Sequence, residues 1–242
     1  MSNNPLQQFQ INTIVPIDLG GINASITNSA VAMVATVAVV SIFLIMGMGS
    51  RKLVPGRWQS MAELSYSFVA DMVRDNVGNE GRKYFPAVFS LFMFILFGNL
   101  LGLLPYSFTF TSHIAITFTL AMIVFIGVTL IGIARHGLHF FSLFVPSGVP
   151  AFIYPILVPI EVISYLSRPV SLSIRLFANM TAGHTMMKVF AGFIIPLGFI
   201  GGWAPFAVDV ALTGFEFLVA FLQAYVFAVL TCLYLNDSIH LH

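Results

Sequence analysis

Long apolar runs separated by short polar segments set the plan of this chain. The run SAVAMVATVAVVSIFLIMGMG, within 28–50, is long enough as a helix to cross the roughly 30 Å hydrocarbon core of a bilayer. RWQSMAELSYSFVADMVRDNV follows, and here Trp58, Met61, Leu64, Phe68 and Met72 recur at helical spacing opposite Glu63, Asp71, Arg74 and Asp75. That pattern predicts a helix over 58–77 lying on the membrane surface, or packed on the soluble part of another subunit, rather than crossing. FPAVFSLFMFILFGNLLGLLP and IAITFTLAMIVFIGVTLIGIA predict a membrane hairpin over 85–134 that turns through YSFTFTSH after Pro105. A linker with Pro146, Pro150 and Pro155 then leads into 155–236, where two helical stretches each exceed thirty residues. At 1.5 Å per residue these helices reach about 50 Å, too long for an upright span, so both should tilt steeply, with Pro169 able to kink the first. Between them IIPLGFIGGWAP reads as a tight turn, with Gly198 and Gly202 serving the turn rather than a dimer face.

Composition places this pattern in a bilayer: of 242 residues 58% are hydrophobic and 8% charged, against about a quarter charged in soluble domains. The expected fold class is an all-α polytopic membrane protein, a single membrane domain over 1–242. A net charge of +1 gives no pull toward nucleic acid. Position matters more than total charge. Arg51, Lys52 and Arg57 follow the first run and no cation precedes it, which puts that end inside and the N-terminus outside. The start of the chain has neither the basic region nor the immediate apolar core of a secretory signal, so the first apolar helix is expected to act as its own targeting signal. The single cysteine, Cys232, excludes an internal disulfide framework and reads as a packing residue. Phosphate-loop, nucleophile-elbow and zinc signatures are absent, so no cofactor and no metal are expected.

Charged groups inside a span cost about 2.5–3.5 kcal/mol each on insertion scales, so each needs a reason. Counting 100° per residue, Glu161, Ser164, Arg168, Ser171, Arg175 and Asn179 fall within roughly 40° of Arg175 and form one polar stripe. Ser171, Arg175 and Asn179 are the firmest group, because a kink at Pro169 would rotate the earlier members. The same count places His184 and Lys188 about 180° and 220° from Arg175, on the far side of the helix. On the second long helix Asp209, Thr213, Glu216 and Gln223 follow helical spacing, so Glu216 can meet His184 across the hairpin while Gln223 approaches the arginine face. Simpler readings stand beside these. Arg175 could clamp backbone carbonyls or a carboxylate, Arg168 could snorkel, His184 and Glu216 could satisfy one another, and Asp209 could complement a helix dipole. Asn99, between Gly98 and Leu100, reads as a helix-packing hydrogen bond.

RPVSLSIRLFANMTAGH, together with FLQAYVFAVLTCLYL, resembles subunit a of the rotary F-type ATP synthases. The likeness runs from about Met61 onward and includes GNLLGLLP. It implies one upright N-terminal helix, a surface amphipathic helix, a membrane hairpin, and a hairpin of two long, steeply tilted helices beside a rotor ring of c subunits. It implies that Arg175 is the essential stator arginine, that Asn179 and Gln223 are its polar neighbours, and that Glu161 belongs to one aqueous half-channel. His184 and Glu216 would be the interacting pair of the other. From their places on the two long helices alone, Ser171, Arg168 and Asp209 are expected as supporting polar groups. Further implied partners are peripheral-stalk b subunits, the lipid bilayer and, indirectly, the catalytic ATPase sector. Many bacterial members carry the histidine and carboxylate the other way round, and some have an aspartate at the position of Gly102, so no relay role is carried to that position. The resemblance points to a bacterial inner membrane, or alternatively a mitochondrial one. A self-contained secondary transporter using Glu161, Arg175 and Glu216 is the other functional reading, disfavoured by the lack of an internal repeat. A purely structural membrane anchor would leave the buried charges without purpose.

Overall fold

The computed structural model describes residues 10–16, 18–19, 22–23, 25–49, 55–104, 107–144 and 152–240. Arg51, Lys52, Pro105, Pro146 and Pro150 lie outside the described residues. Among those described, five helices are long and apolar enough to cross a membrane: α1 (Asn28–Met48), α3 (Phe85–Gly102), α4 (Ile114–His136), α5 (Tyr154–Ile194) and α7 (Trp203–Ile239). Two more are α2 (Arg57–Val77) and the short α6 (Gly198–Gly201). The chain is an all-α polytopic membrane protein. Its strands are minor: β1 (Thr13–Val15) pairs antiparallel with β4 (Ile26–Thr27), and β2 (Asp18–Leu19) with β3 (Ile22–Asn23).

This small ribbon leads directly into α1. Thr27 caps the helix by accepting from the Ala30 amide at 3.4 Å, which satisfies one of the donors a helix start leaves unpaired. Asn28 fastens the segment leading into β1, its side-chain oxygen accepting from Asn12 N at 3.2 Å and its amide donating to Gln10 O at 3.1 Å.

The core lies where α7 meets α5, α3, α4 and α2. On α7, Glu216, Ala220, Ala224, Ala228 and Cys232 recur every fourth residue and are all buried. Small side chains along this stripe let neighbouring backbones approach closely, the means by which membrane helices associate when lipid removes the hydrophobic drive. On α5, Leu172, Leu176, Met180 and His184 form a second buried stripe of the same spacing. His184 and Glu216 are therefore the polar ends of two buried rows. Asn99 of α3, fully buried, donates its side-chain amide to Ala220 O at 3.3 Å, the helix-packing bond its position predicts.

Two local details add to what the pattern alone suggests. Pro159 and Pro169 both sit inside α5, yet it runs as one helix from Tyr154 to Ile194. On α2 the packed stripe is Ala62, Val69, Met72, Val73 and Val77, whereas Trp58, Met61, Leu64 and Phe68 of the predicted apolar face are exposed. Helical periodicity marks the apolar side left exposed, and the neighbouring stripe is the one that packs on the rest of the chain. The turn between the long helices is built on Gly198 at φ 68°, a left-handed conformation that suits glycine. Gly202 then approaches the Ile194 and Gly198 carbonyls so closely that a Cβ there would lie 2.7 and 2.8 Å from them. Large apolar side chains such as Ile42, Ile123, Ile163 and Phe215 remain exposed along the long helices, as lipid-facing surfaces require.

Candidate functional site

Alternation along α5 decides which polar groups face where. Ser171, Arg175 and Asn179 are exposed, one helical turn apart, while Leu172, Leu176 and Met180 face inward. Arg175 therefore projects from the outer side of an apolar helix, and among the described residues no carboxylate lies within ion-pair distance of it. Glu161, half-buried on the same helix, stands fourteen residues earlier, about 21 Å along the axis and within the same angular sector.

His184 is on the inward row and meets Glu216 of α7, with Nε2 3.7 Å from Oε1. Both are buried, at 7% and 3% exposure, so the contact is shielded from bulk solvent. Neither Glu216 oxygen has a hydrogen-bond partner among the described residues. The carboxyl lies against Gly183, where an added Cβ would sit 2.6 Å from Oε1. The absence of a side chain at Gly183 is what lets the acid reach the histidine.

Two hollows flank this pair. One, of about 820 Å³, is lined by His184, Lys188 and Asp209 together with Ser107, Asn12 and Asn28. One Asp209 oxygen is buried there with no partner among the described residues. Asp209 sits in the second turn of α7, facing the cavity rather than merely complementing the helix end. The other hollow, of about 360 Å³, is lined by Asn179, Gly183, Met186, Glu216, Leu222 and Gln223. His184 thus opens to the first hollow and Glu216 to the second, and the second shares Asn179 with the helix face that carries Arg175.

Arg168 is placed differently from its neighbours on the predicted stripe. Its guanidinium binds Asp237 of α7 at 3.0 Å and lies between the rings of Tyr165 and Tyr234, 5.3 and 4.9 Å from their centroids. Tyr165 in turn bonds Thr129 of α4 at 2.7 Å. This is a fastening between α5, α7 and α4, distinct from the unpaired Arg175. Asp237, close to the end of α7, carried no periodic signal that would have singled it out in the sequence.

Thr109 was likewise invisible to helix-based reasoning, because it lies in the connection between α3 and α4. Its hydroxyl donates to Gly102 O at 3.1 Å and meets His184 Nε2 at 3.0 Å. Nearby, His113 stacks on Phe108 with centroids 5.1 Å apart. Burial pushes the His113 imidazole below the usual histidine value, so this loop adds no positive charge at neutral pH. No group of three or more metal-ligating side chains forms among the described residues.

Comparison with known proteins bears on the family of the chain as a whole. Residues 30–236 match the family described as ATP synthase A chain. The chain is 57% identical over 240 residues to ATP synthase subunit a of Rhodospirillum rubrum, covering 99% of this chain and all of the relative. It is 57% identical over 245 residues to the protein of that name from Pelagibacter ubique, covering both chains in full. For the protein of the same name from Allorhizobium ampelinum the identity is 60% over 246 residues, covering 99% and 98%. The length, the motif around Arg175 and the matches across nearly the whole chain give one conclusion: it belongs to the ATP synthase A chain family.

Proposed function

We propose that this chain is the stator subunit of the proton-translocating membrane sector of an ATP synthase, carrying protons to and from rotor carboxylates through two aqueous paths separated by Arg175. It performs no bond chemistry of its own; it couples proton flow to ATP synthesis elsewhere in the complex. The carrying observation is the exposed, unpaired arginine partway along an apolar spanning helix. Such a charge is costly in lipid unless an acidic partner meets it there, and the rotor ring of c subunits supplies that partner in this reading.

On the inlet side, protons reach His184 from the cavity it shares with Lys188 and Asp209 and pass to Glu216. Glu216 opens to the groove with Asn179 and Gln223 and delivers the proton to a rotor carboxylate. Once neutral, that carboxyl can travel through lipid. On the outlet side, served by Glu161, the field of Arg175 favours the ionised carboxylate and releases the proton. A guanidinium keeps its own proton, so Arg175 attracts each arriving carboxylate while blocking a direct leak between the paths. Ser171 extends its polar face, and Arg168 with Asp237 holds the two long helices in place. The bacterial sources of the similar proteins support a bacterial inner membrane. The exposed Trp58, Met61 and Leu64 of α2 offer apolar surface for the bilayer or the b subunits of a peripheral stalk.

The test is Arg175→Ala in the intact complex, assayed in inverted membrane vesicles. Proton-driven ATP synthesis should vanish while hydrolysis by the detached catalytic sector persists. Retained synthesis would overturn the assignment.

A further inference from the structure

We infer that Thr109 is a positioning residue for His184, competing with Glu216 for the same imidazole N–H and so keeping the pair from locking. The inference rests on the reading of His184 and Glu216 as a proton relay. A hydroxyl has one proton to give, and a carbonyl can only accept. The Thr109 hydroxyl donates to Gly102 O at 3.1 Å, so its lone pair accepts from His184 Nε2–H at 3.0 Å. That choice fixes the proton of the neutral imidazole on Nε2, the nitrogen that also faces Glu216 Oε1 at the longer distance of 3.7 Å. One nitrogen therefore has two oxygen partners. It bonds the hydroxyl and stands just short of a hydrogen bond to the carboxyl.

The surroundings hold this geometry firmly. Thr109 is 5% exposed. Its Cγ2 and Oγ1 press on Gly102 so closely that a Cβ on the glycine would lie 2.7 Å from each. The Ser107 hydroxyl points into the end of α3, 2.8 Å from Leu104 O and 3.0 Å from Gly102 O, and Ser112 Oγ donates to Thr109 O at 2.6 Å, fixing the backbone on both sides. Among the described residues the charged groups that share the cavity or a contact with His184 are Glu216 and Asp209 from α7 and Lys188 from α5. A histidine and carboxylate in full contact would hold their shared proton tightly. A neutral competitor of fixed position keeps the histidine oriented while leaving the carboxyl free to hand its proton onward.

The experiment measures proton flux, with a fluorescent pH dye under a potassium diffusion potential, in vesicles stripped of the catalytic sector. Intact complexes carry Thr109→Val, Thr109→Ser, Gly102→Ala, His184→Ala or Thr109→Val with His184→Ala. Loss of one hydrogen bond should slow Thr109→Val about three- to tenfold. Thr109→Ser should keep most of the flux, and Gly102→Ala should fall with Thr109→Val. In the His184→Ala background Thr109→Val should cause no further loss, which a merely structural role would not produce. If the valine variant fails to assemble, Thr109→Ala against Thr109→Ser makes the same comparison. A valine variant as fast as wild type, a serine variant as slow as valine, or full additivity with His184→Ala would overturn the inference. If His184→Ala itself leaves flux unchanged, the relay reading fails instead.

Discussion

At the scale of single residues, the candidate site depends as much on absent side chains as on polar ones. Glu216 reaches His184 because Gly183 leaves its path clear, and Thr109 reaches His184 because Gly102 does the same on the other side. Gly183→Ala places a methyl 2.6 Å from the Glu216 carboxyl. Overpacking of this kind costs about 1–3 kcal/mol, which here should appear as displacement of Glu216. Proton-driven ATP synthesis should slow in this variant, and adding Glu216→Asp, which shortens the acid, should recover part of the rate. No recovery would mean that the methyl acts through the helix backbone rather than through the carboxyl. The polar residues at these positions were legible in the sequence, because helical counting puts Arg175 and His184 on opposite faces. The glycines were not, since a close approach is a property of two elements and periodicity describes only one.

At the scale of elements, the helices were legible nearly to their ends, because long apolar runs flanked by prolines and charges leave little choice of secondary structure. Contacts between helices were less so. The packed stripe of α2 runs beside its apolar face and had no signal of its own, and the Arg168–Asp237 bond joins positions 69 residues apart. Another such tie binds Glu80, in the short 3-10 helix of residues 79–83, to Arg135 in the last turn of α4. The hydrogen bond and charge of Arg135 hold the Glu80 carboxyl below its ordinary value of 4.5. Because the folded-state value is lowered, the stabilisation is present above the unfolded value and fades as pH falls through the folded one. Amides of residues 79–83 in wild type should therefore exchange more slowly than in Glu80→Gln at pH 7. The two should converge once the pH drops well below 4.5. A difference that persisted in acid would show that the ion pair is not what orders this segment.

At the scale of the whole molecule, the connection between α3 and α4 carries more of the site than its length suggests. It supplies Ser107 and Phe108 to the cavity wall and Thr109 to His184, while the ribbon before α1 closes another side through Asn12 and Asn28. Loops of this kind lack a period, so sequence reading passes over them even where they line a hollow beside His184. The exposed position of Arg175 has a consequence for the life of the subunit before it works. A lone copy in the bilayer presents a permanent charge to lipid, at about 2.5–3.5 kcal/mol on insertion scales, and in the proposed function docking beside rotor carboxylates would remove that burden. The charge therefore distinguishes orphan from assembled chains. In cells lacking the rotor subunits this protein should turn over faster than in wild type, and Arg175→Leu should lengthen the orphan's half-life in a pulse-chase measurement. Unchanged turnover would separate the cost of the charge from surveillance of the chain. On this view Arg175 reports on assembly before it takes up its proposed part in transport.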